Sequence, residues 1–238
     1  MNLSIEDKGT VRIITLNRPE KRNALDTALT RDLLEALRNA DAEAGMHCVV
    51  LTGAGPAFCA GADLAEFKGL KDPKAAEARA ELTMQLHLAF SKMDTPVVTA
   101  VNGAAMGGGA GLAIAGDLAV MAEGAKIGYP ETKHGIVAAI VMANLVRQVG
   151  AKAAFELVAL GEPIDAARAL ELGMVNRVVP ARKLMGEALA LAQKIAAVSR
   201  PAMAQTKALF HQVVDLPLAK ALERGRDTNK RMRGFGGK

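Results

Sequence analysis

The chain alternates short continuous apolar runs with longer stretches whose apolar positions return every three or four residues. The runs are Val11-Arg12-Ile13-Ile14-Thr15-Leu16, His47-Cys48-Val49-Val50-Leu51-Thr52, Pro96-Val97-Val98-Thr99-Ala100-Val101 and Leu118-Ala119-Val120-Met121. Bounded by Gly, Pro and Asn, they predict strands buried on both faces. Leu29, Leu33 and Leu37 share one face behind Asp26, a predicted N-cap, and Leu82, Leu86, Ala89 and Met93 mark a helix from about Pro73 to Met93. Ile5 and residues 11–16 read as a hairpin turning at Asp7-Lys8-Gly9. From about Val141 the pattern is largely helical, with one extended patch at residues 174–179. Strand and helix alternate through the first half, so the expected class is α/β, with a mostly parallel sheet flanked by helices.

One junction carries candidate chemistry. The 96–101 strand leads into Met106-Gly107-Gly108-Gly109-Ala110-Gly111 and then the helix Leu112-Ala113-Ile114-Ala115. The first N–H groups of a helix lack internal partners and carry partial positive charge. Glycines let an oxygen approach them, so the junction suits a small anion or a developing oxyanion. A second glycine turn, Ala60-Gly61-Ala62-Asp63-Leu64, follows the 47–52 strand; Asp63 is placed to cap the next helix and Ala62 to offer an N–H. Two such donors converging on one point would form an oxyanion hole.

Composition narrows the chemistry. The glycine loop fits neither the G-x-G-x-x-G nor the G-x-x-x-x-G-K-[ST] pattern, which argues against dinucleotide and P-loop binding. There is no G-x-S-x-G, and the four histidines, 47, 87, 134 and 211, never pair at metal-ligand spacing. No metal is therefore expected. Cys48 and Cys59 stand alone, no leader opens the chain and no 18-residue apolar run occurs, which reads as a soluble, reduced, cytoplasmic protein. The net charge of +5 gathers at Arg224, Arg226, Lys230, Arg231, Arg233 and Lys238. That cluster reads as a solvated helix end or as a contact for a phosphorylated ligand; with only Phe235 nearby to stack on a base, no nucleic-acid partner is expected.

The segments Asn17-Arg18-Pro19-Glu20-Lys21-Arg22-Asn23-Ala24-Leu25, Ala60-Gly61-Ala62-Asp63-Leu64, Asn102-Gly103 with Gly107-Gly108-Gly109, Gly128-Tyr129-Pro130-Glu131 and Leu172-Gly173-Met174-Val175 together resemble the crotonase (enoyl-CoA hydratase/isomerase) superfamily. The likeness covers about residues 1–200. It implies a spiral of repeated β-β-α turns with a helical C-terminal region: a core over residues 1–197 holding an acyl-CoA site, and a trimerisation or lid segment over residues 198–238. It further implies homotrimers or homohexamers, a place in fatty-acid metabolism, no membrane partner, and no cofactor beyond the coenzyme A of the substrate.

By position, the resemblance implies that Ala62 and Gly108 donate to the thioester oxygen and that Glu131 moves the proton. Arg22, Ala24, Ala60, Asp63, Leu64, Lys68, Gly107 and Gly111 become expected substrate-binding positions, with Arg22 and Lys68 toward the nucleotide of coenzyme A. Hydratases of the family carry two glutamates, and the first would fall where this chain has Gly111. Hydration of a 2-enoyl-CoA is the expected reaction. A Δ3–Δ2 enoyl-CoA isomerase using Glu131 alone and a non-catalytic acyl-CoA-binding protein are the alternatives. His134, three residues beyond Glu131, is expected to tune that acid or to cap a turn. Helix placement suggests Met84, Leu88, Ile136 and Met142 around the acyl chain.

Overall fold

The computed structural model describes residues 1–233. An antiparallel hairpin, β1 (Leu3–Lys8) and β2 (Val11–Leu16), opens the fold. Asp7 and Lys8, expected in the turn, pair with Arg12 and Val11 and leave Gly9-Thr10 to turn the chain. The ion pair Asp7–Arg12, at 2.8 Å, sits on this hairpin and depresses the Asp7 carboxyl through its hydrogen bond to the guanidinium. Then come α1 (Thr27–Ala42), β3 (Cys48–Gly53), β4 (Ala57–Cys59), α2 (Leu64–Gly69) and α3 (Pro73–Lys92). Asp26 caps α1 by accepting from the Leu29 N–H, and Asp72 caps α3.

The middle of the chain supplies β5 (Val97–Val101), β6 (Ala104–Met106), α4 (Gly108–Ala115), β7 (Leu118–Ala122) and β8 (Lys126–Gly128). A 3-10 turn, Pro130–His134, leads to α5 (Ala139–Leu160), which breaks at Gly150. After β9 (Ile164–Asp165), α6 (Ala166–Glu171) and β10 (Arg177–Val179) the rest is helical: α7 (Leu184–Ala196), α8 (Arg200–Val213) and α9 (Leu218–Arg233). The extended patch at 174–179 thus contributes only three strand residues. Phe235 and Lys238 lie outside the described residues.

Six strands form the main sheet in the order β1-β2-β3-β5-β7-β10, parallel except for the opening hairpin. β3 and β5 are buried almost throughout, with α7 against both, α4 also against β5 and β4 also against β3, which is why they read as unbroken apolar runs. α7 packs on β2, β3, β5 and β7, and α1 packs on β2 and α3. The short strands β4, β6, β8 and β9 make a second sheet, and each of β4, β6 and β8 follows directly on a main-sheet strand. This repeated strand–strand–helix step is the expected spiral, and its inner sheet positions the candidate site.

Candidate functional site

Asn23 organises the first wall. Its side chain is fully buried, and Nδ2 donates to the carbonyls of Ala54 and Ala57 at 2.9 Å and of Phe58 at 3.1 Å. Its Oδ1 accepts from the Arg18 N–H. This clamps the turn carrying Arg22 and Ala24 against β4, and Leu25 then bridges Ala62 in parallel. Leu25 donates to the Gly61 carbonyl and accepts from the Asp63 N–H, at 2.7 and 3.0 Å. Because the neighbours of Ala62 spend their polar groups toward Leu25, extended backbone aims the Ala62 N–H to the opposite side. Asp63 caps α2, accepting from Ala65 and Glu66 N–H, while Arg18 lies between Asp26 and Asp63 at 2.8 and 3.5 Å.

The second wall is the start of α4. The glycines expected ahead of this helix form its first turn, four residues earlier than the apolar pattern indicates. Packing overrides their poor helix propensity: a β-carbon on Gly109 would stand 2.2 Å from the Cys59 carbonyl oxygen. Gly107 precedes the helix at φ 51°, ψ −119°, a conformation an L side chain adopts only under strain, and it offers no side-chain cap. Hence the turn's N–H groups stay open. The β-carbon position of Gly61 is 3.3 Å from the Gly108 nitrogen, and that of Gly108 is 3.9 Å from the Ala62 nitrogen. Among the described residues, neither the Ala62 nor the Gly108 N–H donates to a loop or cap carbonyl. The structure therefore brings these two amides side by side.

Glu131 completes the cluster. The Gly107 N–H donates to the Gly128 carbonyl at the end of β8, which delivers the 3-10 turn to the head of α4. Glu131 Oε1 comes within 2.8 Å of where a Gly107 β-carbon would be, and Oε2 is buried without a hydrogen-bond partner. Burial raises its pKa, against the lowering pull of its own backbone N–H and of His134. A carboxylate held this way is primed to take a proton.

The sequence model of the enoyl-CoA hydratase/isomerase family matches residues 6–233. The chain belongs to that family. It is 45% identical to a putative enoyl-CoA hydratase of Thermus thermophilus over 86% of this chain and 81% of that protein. A probable enoyl-CoA hydratase of Rhizobium meliloti is 39% identical over 92% and 85%. The enoyl-CoA hydratase crystal structure from Mycobacterium smegmatis superposes with a TM-score of 0.93 at 34% identity, covering 97% of this chain and 90% of that one. The crotonase fold expected from the motifs is thereby shown, as is an enzyme of the hydratase/isomerase type.

The candidate site draws its expected residues together unevenly. Ala62 and Gly108 supply the paired amides, with Gly107 just ahead of α4 and Asp63 capping α2, whereas Ala60 is half-buried and Leu64 is 38% exposed at the start of α2. Arg22 and Lys68 are exposed side chains and Ala24 is half-buried. His134 is exposed and reaches Glu131 only through its charge. Leu88 lines a groove of about 170 Å³ with Arg38, Asp41 and Lys92, and Met84 is 40% exposed. On α3, i and i+4 positions share a face, so these two point outward together. Ile136 and Met142 are half-buried, Met142 against the core. No group of His, Cys, Asp and Glu among the described residues could hold a metal.

Several neighbours of the candidate site are not legible in the sequence. Asn23 and Arg18 lie inside a quoted motif, yet only the fold reveals that one clamps three carbonyls. Arg79 donates to the Leu25 carbonyl at 2.9 Å and faces Glu66 at 3.6 Å, bracing the Ala62 bridge from α3. Tyr129 is fully buried with its hydroxyl unpartnered, its pKa raised by burial and by Glu131. His87 packs directly on Gly111, a proximity no spacing rule encodes.

Proposed function

We propose that this enzyme hydrates 2-enoyl-CoA thioesters. The Ala62 and Gly108 amides bind the thioester oxygen, and Glu131 is the proton carrier. Glu131 takes a proton from water as the oxygen of that water bonds to C3; the C2=C3 electron pair moves onto the thioester as an enolate. Glu131 then returns the proton to C2. Each amide stabilises the enolate by about 3 kcal/mol in a dry site, and a placed acid–base contributes roughly 10²–10⁴-fold. The observation that carries this reading is the adjacency of the two open amides with Glu131 at the same helix head. Relatives named as hydratases support the choice of reaction.

The substrate positions extend this reading. Gly107 and Gly111 let Glu131 and His87 approach α4 closely beside the substrate, Ala60, Asp63 and Leu64 flank the thioester, and Arg22, Ala24 and Lys68 receive the nucleotide end of coenzyme A. Coenzyme A enters with the substrate, without another cofactor. Isomerisation of a 3-enoyl-CoA is the second reading, favoured by Glu131 being the one carboxylate available where the family's hydratases carry two. Incubating the protein with crotonyl-CoA and a 3-enoyl-CoA in parallel separates these: loss of the conjugated-thioester absorbance reports hydration, its gain reports isomerisation. Binding of both without turnover would leave an acyl-CoA-binding protein.

Assembly and setting belong to the same proposal. Residues 1–197 act as the catalytic core and 198–238 as the assembly segment, which exposes Phe210 on α8, Val214 just beyond it, and Leu218 and Leu222 on α9. A homotrimer or homohexamer acting in the cytoplasm on fatty acyl-CoA is the expected form; light scattering at three or six chain masses supports it, and a monomer contradicts it. No described helix is long and apolar enough to cross a membrane.

A further inference from the structure

Gly111 is followed in space by a histidine. His87, on the inner face of α3, is 7% exposed, and its Cε1 lies 2.7 Å from the point where a Gly111 β-carbon would be. Both ring nitrogens are buried and neither has a hydrogen-bond partner. Folded proteins seldom leave such atoms unpaired unless a ligand or water completes them. Gly111 stands one turn along α4 from Gly107, its N–H donating to the Gly107 carbonyl at 3.0 Å. At Gly107 the neighbouring side chain is Glu131, whose Oε2 is likewise buried and unpartnered. Two polar side chains with unmet capacity therefore flank one turn of the helix that presents Gly108.

We infer that His87 is a second water-holding residue of this site, occupying the place at Gly111 where the family's hydratases keep their other carboxylate. The inference rests on the hydratase reading of Glu131. The substrate water donates one hydrogen to the Glu131 carboxylate and the other to an imidazole nitrogen, which turns an oxygen lone pair toward C3. As the C–O bond forms, the first proton passes to Glu131 and later to C2, and His87 neither gains nor loses one. Burial suits it to that part, since it lowers the histidine pKa to about 4 and keeps the ring neutral, able to accept. A neutral acceptor also avoids setting a second negative charge beside Glu131.

The test is crotonyl-CoA hydration by the full chain and by His87→Phe, His87→Asn and His87→Gln, with KM and coenzyme A affinity measured alongside. Loss of the water's orientation in His87→Phe should lower kcat about 100-fold while KM moves less than about threefold. Asn or Gln, which restores an acceptor, should recover at least tenfold of that loss. A packing role would not be rescued by polar replacements. If His87→Phe does not fold, the imidazole nitrogen signals of the parent protein decide: His87 should shift when 3-hydroxybutyryl-CoA is added, and an unmoved signal overturns the inference. Hydration by the parent and by His87→Phe at equal rates refutes the His87 assignment alone. Failure of the parent to hydrate refutes the reading of Glu131 as well.

Discussion

Placing a methyl group at position 111 asks whether the family's first carboxylate site is closed in this chain. The Gly111 β-carbon would lie 2.4 Å from Val141 Cγ1 and 2.7 Å from His87 Cε1, about 1 Å inside normal carbon–carbon contact. Neither neighbour yields easily: Val141 is buried and β-branched on α5, and His87 is buried on α3. Gly→Ala inside a helix gains up to about 1 kcal/mol from propensity. Overpacking a filled core costs about 1–3 kcal/mol. Gly111→Ala should thus lose about 1 kcal/mol net, a fall in Tm of roughly 2–4 °C for a chain this long. Urea denaturation of Gly111→Ala, Val141→Ala and the double variant forms a cycle. The double variant should be no less stable than Val141→Ala, giving a coupling of about 1 kcal/mol or more. A Gly111→Ala protein as stable as the parent would show that helix propensity wins and that position 111 is open. Gly111→Glu, with a longer chain to seat, should be destabilised further and should not restore a two-glutamate site.

Three further outcomes are expected. Asn23→Ala should cost about 3 kcal/mol in chemical denaturation, because the carbonyls of Ala57 and Phe58 lose a buried donor; a change under 1 kcal/mol would dismiss Asn23 as the clamp. Lys207, 5% exposed, donates to Asp117 at 2.8 Å and to the Thr95 carbonyl at 3.1 Å. Burial raises the Asp117 pKa, but the approach of His211 and the charge and hydrogen bond of Lys207, with the Val97 N–H, lower it more, so the stability it adds is present above the unfolded pKa and lost as pH falls through the folded one. Asp117→Asn should cost about 3–5 kcal/mol at neutral pH and remove that acid-side slope; melting profiles unchanged at neutral and at acid pH would contradict the pairing. For Glu131, the raised pKa places the acid limb of kcat/KM above the ordinary glutamate range, with activity rising as the carboxylate ionises, and Glu131→Gln should abolish the limb along with at least about 100-fold of kcat.

The long buried strands were legible because a parallel sheet covered on both faces must be apolar at every position, as β3 and β5 are. Two caps were legible too: Asp26 and Asp63 accept N–H groups of the helices that follow them. The inner sheet was not readable from periodicity, since three-residue strands such as β4 and β6 are too short to show an alternation. It entered only through the family likeness. Helix propensity placed the start of α4 too late, because close approach of Cys59, a tertiary fact, decides it. For the candidate site, motif order pointed to Ala62, Gly108 and Glu131, which the fold brings close together. Nothing in the spacing linked His87 to Gly111 or Arg79 to Leu25, since those contacts join α3 to segments far away along the chain.

The most direct measurement is a crystal structure of the Glu131→Gln protein with crotonyl-CoA, slow enough to hold its substrate. The account predicts the thioester oxygen within about 3.1 Å of both the Ala62 and Gly108 nitrogens, with C3 facing the residue-131 side chain. A thioester oxygen that meets neither amide, with the acyl chain bound elsewhere, would contradict it.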